Sequence, residues 1–415
     1  MRALILALLA TTLPALAADE DAAALLLADQ TSAAAETSRD WRVFVEAAAR
    51  EARPQGPGLA QHGTRLSVDA RLDKTFAPGW RAVFADRLDM ERLAGDTGNR
   101  NINTLKEAYV SWQAQPDRIA DLGRINARNG VAMGYNPTDY FRAGALRSVV
   151  SLDPASLREN RLGSAMLRGQ QLWTGGSLTA LYSPKLTDNT SDRAFSPDWG
   201  ATNQSDRWLL ALGERLSTVF NPQWLLSGGQ GQSPQLGLNL TALPNDATVA
   251  YFEWSGGRSD SLAAQALKGP DDAAFRSRSS TGLTYTTPNN LSLTAEYEYN
   301  GGALDENGWN GLRHGPPAAY AQYRGYVANL QDPATRHNVF FYAFWQDVLV
   351  KHLDLTAMVR YDVGDRSRLH WFEARYHWSR VDIALQTQLN NGDPRSNYGA
   401  VPERRVWQAL VRYFF

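Results

Sequence analysis

RVWQALVRYFF, the stretch at residues 405–415, alternates between two kinds of side chain. The polar positions include Gln408 and Arg412, which are poorly suited to the core of a soluble sheet. Side chains of a strand point alternately to its two faces, so the stretch predicts a strand that lies between lipid and water. The lipid-facing set is wholly apolar and consists of Trp407, Ala409, Val411, Tyr413 and Phe415.

The same alternation recurs elsewhere in the chain. In residues 64–74, Leu66 and Val68 share one face while Arg65 and Asp69 share the other. Repeated alternation of apolar and polar side chains is typical of the strands of a transmembrane β-barrel. We therefore predict an all-β fold, a transmembrane antiparallel β-barrel. The clearest segments are residues 64–74, 291–300, 353–362 and 381–390.

Strand-like segments continue from Trp41 to the end of the sequence, and we count about 18 of them. Their length of roughly nine to twelve residues suits tilted strands that cross a bilayer. Residues 161–184 and 223–242 alternate weakly, which leaves a barrel of 16 strands as the alternative. The segments are 41–49, 63–76, 79–90, 103–114, 118–126, 161–171, 177–184, 206–219, 223–231, 235–242, 247–258, 275–287, 291–300, 336–346, 351–363, 367–378, 380–390 and 404–415.

Connections between the segments alternate in length. Outer-membrane barrels have short periplasmic turns and long extracellular loops, so this alternation predicts the same topology in a Gram-negative outer membrane. Tight turns are indicated at residues 77–79, 115–117, 221–223, 243–246 and 288–290. Longer polar linkers lie near residues 90–103, 127–160, 184–205, 258–274 and 300–336.

The N-terminal residues 1–17 have the pattern of a secretory signal peptide, with Arg2, an apolar stretch at 3–13 and Ala17 before the predicted cleavage site. Residues 18–38 are rich in alanine and are predicted to form a short periplasmic helix or a flexible tail. Residues 39–415 remain for the barrel. The sequence contains no cysteine, so neither a disulfide framework nor a lipidated cysteine is expected.

The composition limits the functions that the chain can have. The net charge of −1 argues against a nucleic-acid partner. Thirteen Trp, 16 Tyr and 14 Phe at a mean hydropathy of −0.40 suit aromatic girdles around a polar lumen. The six histidines are scattered, and no nucleophile motif or metal-binding motif such as HExxH is present. We predict no catalytic site, no cofactor and no metal.

A barrel of about 16 to 18 strands is too wide to be filled by wall side chains and encloses an aqueous channel. Both signs of charge occur among the predicted inward positions, so plain solvation of the lumen is the alternative to an electrostatic filter. The pore-lining candidates are Arg65, Asp69, Arg71, Arg81, Arg87, Glu107, Arg276, Arg278, Glu296, Glu298, Arg360, Glu373, Arg375 and Arg412.

Residues 122–169 contain Gly123-Arg124, the run at 136–139 and the run at 157–162, and this segment resembles Gram-negative barrels of the alginate-export type. The resemblance implies a polar pore that loops narrow, with Arg124 pointing into it. It also implies that Asn136, Pro137 and Asp139 fix a loop turn. Arg158 and Arg161 would flank the re-entry into the next strand. Five further carboxylates are predicted to point inward, namely Asp73, Glu253, Asp354, Asp362 and Asp382. The inward positions therefore show no strong excess of arginine over carboxylate, which argues against a polyanionic substrate.

The C-terminal strand resembles the signal by which barrel-assembly machinery recognises outer-membrane clients. Its recognition residues would be Trp407, Val411, Tyr413 and Phe415. The expected partners are this machinery, outer-membrane lipid with lipopolysaccharide, and a hydrophilic solute or polysaccharide.

We therefore predict an outer-membrane channel for the passive passage of small hydrophilic solutes, anions among them. The linker at 127–160 is the best candidate for narrowing the pore. One alternative is an exit duct for a secreted polysaccharide. Another is a closed structural or adhesion barrel whose loops, especially residues 300–336, bind external ligands.

Overall fold

Residues 39–93, 100–217 and 219–415 are described by the computed structural model of the protein. Eighteen antiparallel strands form one sheet, and the last strand pairs with the first, so the sheet closes into a barrel. The predicted 18-strand barrel is confirmed, and the alternative of 16 strands is wrong. The predicted signal peptide at 1–17 and the predicted helix or tail at 18–38 lie outside the described residues.

The strands follow one another around the barrel in sequence order. They are β1 (Trp41–Pro54), β2 (Gln61–Ala77), β3 (Trp80–Leu93), β4 (Arg100–Gln115), β5 (Arg118–Ile125), β6 (Ser164–Trp173), β7 (Gly176–Ser183), β8 (Arg207–Glu214), β9 (Phe220–Gly229), β10 (Gln232–Asn245), β11 (Thr248–Ser259), β12 (Ala274–Thr286), β13 (Leu291–Asn300), β14 (His337–Trp345), β15 (Leu353–Asp362), β16 (Arg368–His377), β17 (Val381–Asn391) and β18 (Glu403–Phe414).

Five helices lie in the described part of the chain, all of them in the loops. They are α1 (Pro154–Glu159), α2 (Trp199–Thr202), α3 (Leu262–Leu267), α4 (Glu306–His314) and α5 (Pro317–Leu330). Within the described residues, no helix is both long enough and apolar enough to span a bilayer.

The alternation in β18 separates the two surfaces of the wall as predicted. Trp407 and Val411 are 41% and 45% exposed on the outer surface, whereas Leu410 between them is 3% exposed on the inner one. The outer surface also carries Trp80 and Trp112, whose rings stack with centroids 5.7 Å apart beside the short turns. An apolar outer surface with aromatic side chains near its edge is the arrangement that lipid requires of a barrel.

The pairing of β1 with β18 closes the barrel along a seam. Phe44 pairs with Phe414 at one end of this seam, and Pro54 pairs with Glu403 at the other. Arg39 also donates a hydrogen bond to the carbonyl oxygen of Phe415 at 3.1 Å. The last strand therefore closes the barrel and leaves no free edge.

One predicted turn lies elsewhere in the structure. The connection between β8 and β9 falls between Glu214 and Phe220, and the predicted turn at 221–223 is part of β9. Pro222 is tolerated in the strand because β8 pairs with β9 only as far as Gln223. One edge of β9 therefore has no ladder partner at the proline, whose missing N–H leaves no bond unmade there.

Short turns lie at the barrel end that holds Trp41 and Phe414, and the long loops lie at the other end. Four of these loops matter for the site: L3 (126–163), L4 (184–206), L6 (260–273) and L7 (301–336). The helices of L6 and L7 pack together around Leu262, Trp309 and Tyr323, all fully buried. We call α3, α4 and α5 the helical cap.

Candidate functional site

Loop L3 crosses the lumen. On one side the backbone of Val131 donates to Glu253 of β11 at 2.9 Å. On the other side Gln408 of β18 donates to the carbonyl oxygen of Val150 at 3.4 Å. Inward side chains are buried on strands all around the barrel, for example Glu46, Asn239, Phe340 and Leu410. L3 therefore forms the constriction of the barrel.

Glu253 is the main attachment point of L3. Its carboxylate, fully buried, accepts hydrogen bonds from the backbone N–H groups of Val131, Ala132 and Thr138 at 2.9, 3.1 and 2.8 Å. The hydroxyl of Thr138 donates to the same carboxylate at 2.8 Å. Gly130 comes just before this segment with a φ of +96°, and an added Cβ would lie 2.6 Å from the carboxylate. The chain can approach Glu253 so closely because a glycine stands there.

Glu296 of β13 holds the next residues of L3. The N–H groups of Met133 and Gly134 donate to its carboxylate at 2.6 and 3.0 Å. Tyr251 and Ser280 donate from the wall at 2.6 and 3.0 Å. Hydrogen bonds to a charged acceptor are the strong ones, so residues 131–138 are fixed to the wall formed by β11–β13.

The helical cap holds L3 from the extracellular end. Arg142 of L3 donates to the carbonyl oxygen of Leu330 at 3.0 Å and forms an ion pair with Asp332. Its guanidinium lies 4.9 Å from the ring centroid of Tyr135, and burial raises the pKa of that phenol. The carbonyl oxygens at the end of α5 attract a cation because they carry the negative end of the helix dipole.

Ion pairs from four strands meet at Glu46, and they lie across the barrel seam. Arg65, Arg87 and Arg412 donate to its carboxylate at 2.8, 3.0 and 2.8 Å. Glu46 is 2% exposed. Since Glu46 lies on β1 and Arg412 on β18, this pair ties the first strand to the last.

In three ion pairs of the lumen the cation is more exposed than its carboxylate partner, while the reverse holds for Lys106 with Glu159 at 3% and 45% and for Arg276 with Asp272 at 16% and 45%. The side chain of Arg412 is 26% exposed and that of Glu46 is 2% exposed. The same difference separates Arg168 at 23% from Asp121 at 1%. Arg360 and Glu298 follow the pattern at 26% and 4%. In these pairs the carboxylate is buried against the wall and the guanidinium faces the water.

Asp153, at the start of α1, is a buried titratable group of L3. Its carboxylate accepts from the backbone of Ser156 at 3.0 Å and from the hydroxyl of Tyr342 at 2.9 Å. The pKa of Asp153 is raised to about 6, chiefly by burial; the bond from Ser156 opposes the shift, and the nearby charge of Glu373 contributes to it. The folded protein therefore holds this proton more tightly than the unfolded chain does.

We expect the free energy of unfolding to fall as the pH rises through the window between the usual aspartate pKa and about 6. Above that window the free energy of unfolding should no longer change with pH on account of Asp153. The total change across the window is at most about 3 kcal/mol. The check is urea unfolding in detergent at several pH values, comparing the wild type with Asp153→Asn, which should remove this dependence. Asp305→Asn is the control, because Asp305 caps α4 in the same way but is exposed. Parallel curves for wild type and Asp153→Asn would contradict the assignment.

The structure places fourteen of the predicted pore-lining residues on the inner face of the wall. They are Arg65, Asp69, Arg71, Arg81, Arg87, Glu107, Arg276, Arg278, Glu296, Glu298, Arg360, Glu373, Arg375 and Arg412. They do not form one group. Arg65, Arg87 and Arg412 meet at Glu46, Glu296 and Glu298 lie beside L3, and Arg276 lies at the extracellular end, where it contacts Asp272.

Arg124 lies differently from its prediction. It shares a strand face with Leu122, which is 68% exposed on the outer surface, so it does not point into the pore. Its guanidinium lies 4.2 Å from the ring centroid of Trp199. L4 covers it there and also pairs with the free edge of β4, where Asn103 donates to Ala194 at 3.0 Å. Whether a strand residue points to the lumen or to the outer surface depends on its position in the alternation of the strand, and a motif of two residues does not reveal that position.

The predicted loop residues lie together inside L3. Asn136 donates to Glu253 at 3.3 Å, and Asp139 accepts from Arg161 at 2.7 Å. Arg158 points toward backbone carbonyl oxygens of the same loop. Pro137 lies between Asn136 and the Thr138 that binds Glu253. These residues therefore shape the constriction from within.

The sequence analysis missed several residues of the site. Among them are Glu46, the centre of the seam network, Lys106, which donates to Asp69 at 2.6 Å, and Arg168, which pairs with Asp121. A charged residue between two apolar ones, as in the order Val45-Glu46-Ala47, was the available signal.

Within the described residues, no group of three or more histidine, aspartate or glutamate side chains could hold a metal ion.

Comparison with known proteins identifies the fold. No family model matches the chain, and no curated protein matches its sequence. Among solved structures, OccAB1 of Acinetobacter baumannii is 11% identical, with 93% of this chain and 99% of that one covered at a TM-score of 0.57. The chain folds as an outer-membrane porin-type barrel. At such identities the likeness concerns the fold alone.

Two further structures agree. The outer membrane protein opdK of Pseudomonas aeruginosa is 8% identical, with 91% of this chain and 99% of that one covered at a TM-score of 0.53. OccK2 (OpdF) of the same organism, solved in complex with glucuronate, is 11% identical, with 91% and 98% covered at a TM-score of 0.53. With its apolar outer surface, this barrel is located in the Gram-negative outer membrane. The resemblance to alginate-export barrels stays a prediction.

Proposed function

We propose that the protein is an outer-membrane channel for the passive passage of small hydrophilic solutes, and that it favours anions. The observation that carries the proposal is the exposure of the lumen charges. The guanidinium groups of Arg412, Arg168 and Arg360 face the water, while their carboxylate partners are buried. A passing ion meets the exposed member of each pair, so the lumen attracts anions even though its charges are mixed in sign.

The position of L3 supports a limit on solute size. Because L3 crosses the lumen and is bound to opposite walls, it leaves a narrow path rather than a wide duct. Such a path suits single small molecules. Glu159 of α1 departs from the charge pattern, since its side chain is 45% exposed beside Arg42 at 46%. Glu159 also lies 3.9 Å from Lys106, which is 3% exposed, so at this position the exposed carboxylate is offset by the exposed guanidinium of Arg42.

The test is planar-bilayer conductance of the refolded protein in a gradient of KCl. We expect discrete steps and a reversal potential of the sign that chloride permeation produces. A reversal potential of the opposite sign would overturn the anion preference. The absence of steps from protein that is shown to be folded by its heat-modifiable gel mobility would overturn the channel itself and favour a structural role.

Glucuronate is a suitable test solute, because one of the similar structures was solved in complex with it. Liposome swelling should be faster with glucuronate than with glucose, since the two differ chiefly by a carboxylate. Equal rates would mean that the exposed guanidinium groups do not select the solute.

A further inference from the structure

L3 is held very unequally on its two sides. On the wall of β11–β13, the buried carboxylates of Glu253 and Glu296 accept hydrogen bonds from five backbone N–H groups, those of residues 131–134 and of Thr138. On the opposite side, L3 and the strands β17 and β18 share a single hydrogen bond within the described residues. It runs from Gln408 Nε2 to the carbonyl oxygen of Val150 at 3.4 Å, near the long end of the range for such bonds. We call residues 147–151 the L3 tip.

Gln408 does not depend on the L3 tip for its position. Its Nε2 also donates to Oε1 of Gln386 at 3.1 Å, and Gln386 in turn donates to Glu373. Arg375 holds that carboxylate with two bonds at 2.8 and 3.0 Å. An amide nitrogen has two hydrogens, so Gln408 can lose its bond to the tip and stay in place on the wall. The wall side is preorganised and is joined to L3 by one weak neutral bond, while Arg147 binds the tip to L4 by donating to the carbonyl oxygens of Ser196 and Ser191 at 3.0 and 3.1 Å.

Solvent exposure also differs between the L3 tip and the anchored side of L3. Val149 of the L3 tip is 53% exposed although it is apolar and belongs to a loop that crosses the lumen. Arg412 and Arg375 of the facing wall are 26% and 15% exposed. On the anchored side, Ala132 and Glu253 are completely buried. Water therefore reaches Val149 and the guanidinium of Arg412 on the tip side, whereas Ala132 and Glu253 are sealed from it on the anchored side.

We propose that solutes pass between the L3 tip and the wall of β17 and β18, and that the bond between Gln408 and Val150 is the latch that opens for them. The inference rests on the proposed channel function and adds the location of the path. The groups that face the path are the guanidinium groups of Arg375 and Arg412 and the amide of Gln408. Such donors suit a small organic anion, whose oxygen atoms accept from all three.

The absence of native cysteine allows a direct test by cross-linking. Val149→Cys and Gln408→Cys are combined, and the refolded protein is treated with a short bifunctional thiol reagent that contains a reducible bond. We expect the cross-linked channel to lose most of its single-channel conductance and to recover it on reduction. The control pair is Thr284→Cys with Thr294→Cys, whose hydroxyls are 2.8 Å apart on the neighbouring strands β12 and β13. It places the same reagent on the lumen wall without touching L3, and conductance should stay near the wild-type value.

A single substitution tests the latch without any reagent. Gln408→Ala should raise the open-channel conductance several-fold, because the tip loses its bond to the wall. Gln170→Ala is the matched control, since Gln170 also makes a bond of 3.4 Å from the inner wall, but to Thr179 of the next strand. Gel mobility before and after heating shows that each variant is folded.

The possible results separate this inference from the proposed function. If the wild type conducts and the cross-link at the tip has no effect, the path lies elsewhere and this inference is overturned, while the channel function stands. If both cross-links block equally, the block is not specific to the tip and the inference is overturned as well. If the folded wild type shows no steps, the proposed function fails and the inference fails with it.

Discussion

Replacing Glu253 by alanine is expected to raise the single-channel conductance several-fold, because L3 then loses its main attachment to the barrel. The carboxylate accepts from the backbone of Val131, Ala132 and Thr138. Hydrogen bonds to a charged group are worth about 1.5–3 kcal/mol each, and their loss leaves buried N–H groups without partners. The loop can regain partners for these groups only by moving into water, which widens the lumen.

Planar-bilayer recordings under one salt condition measure this effect. Glu107→Ala is the matched control, because Glu107 also faces the lumen but is paired with Arg71 at 3.6 Å and does not contact L3. Glu253→Gln should give an intermediate conductance, since the amide still accepts through one oxygen but carries no charge. An unchanged conductance in Glu253→Ala would mean that the bonds to Glu296 and the helical cap suffice to hold the loop.

Replacing Glu46 by alanine is expected to lower the stability of the barrel more than any other single change at the seam. Arg65, Arg87 and Arg412 would then lose their shared carboxylate, and Arg87 is 1% exposed. Removing one partner of a buried ion pair costs about 3–5 kcal/mol when the remaining charge is left uncompensated. Arg65 and Arg87 keep Asp89 as a partner at 3.9 and 3.0 Å, so we expect a loss at the lower end of that range. The loss falls on the contact between β1 and β18, where the barrel closes.

The temperature at which the folded gel band converts to the unfolded one measures this prediction. Glu51→Ala serves as the control, since Glu51 lies on the same strand, is 37% exposed and pairs with exposed Arg53. Its transition should stay close to that of the wild type. Equal transition temperatures for the two variants would show that the seam is held by its backbone ladder alone.

The strands could be predicted from the sequence because their signal is local. A strand between lipid and water must alternate with period two, and each of β2, β13, β15 and β17 displays this within about ten residues. The error at 221–223 also has a local cause. Asn221 and Pro222 are turn formers, yet the pairing of neighbouring strands extends through them. At that position the hydrogen bonds between β9 and β10 determine the structure, and the turn preference of the two residues does not.

The constriction could be predicted only in part. The length and polarity of 127–160 indicated a functional loop, and the inward position of Glu253 and Glu296 followed from strand parity. Their role did not follow, because the N–H groups that they bind lie more than 100 residues away, such as Val131 at a separation of 122 from Glu253. Arg124 was misplaced because a motif of two residues does not reveal the parity of its strand.

The sequence alone determined that this protein is a barrel of alternating strands with its apolar face toward lipid, because alternation and turn spacing are properties of neighbouring residues. Only the tertiary structure decided where the lumen is closed and which charges meet the solute. The closure of β1 on β18 brings Glu46 and Arg412 together across a separation of 366 residues. Burial then decides which member of each ion pair faces water, and burial depends on the packing of L3 and the walls rather than on any local pattern.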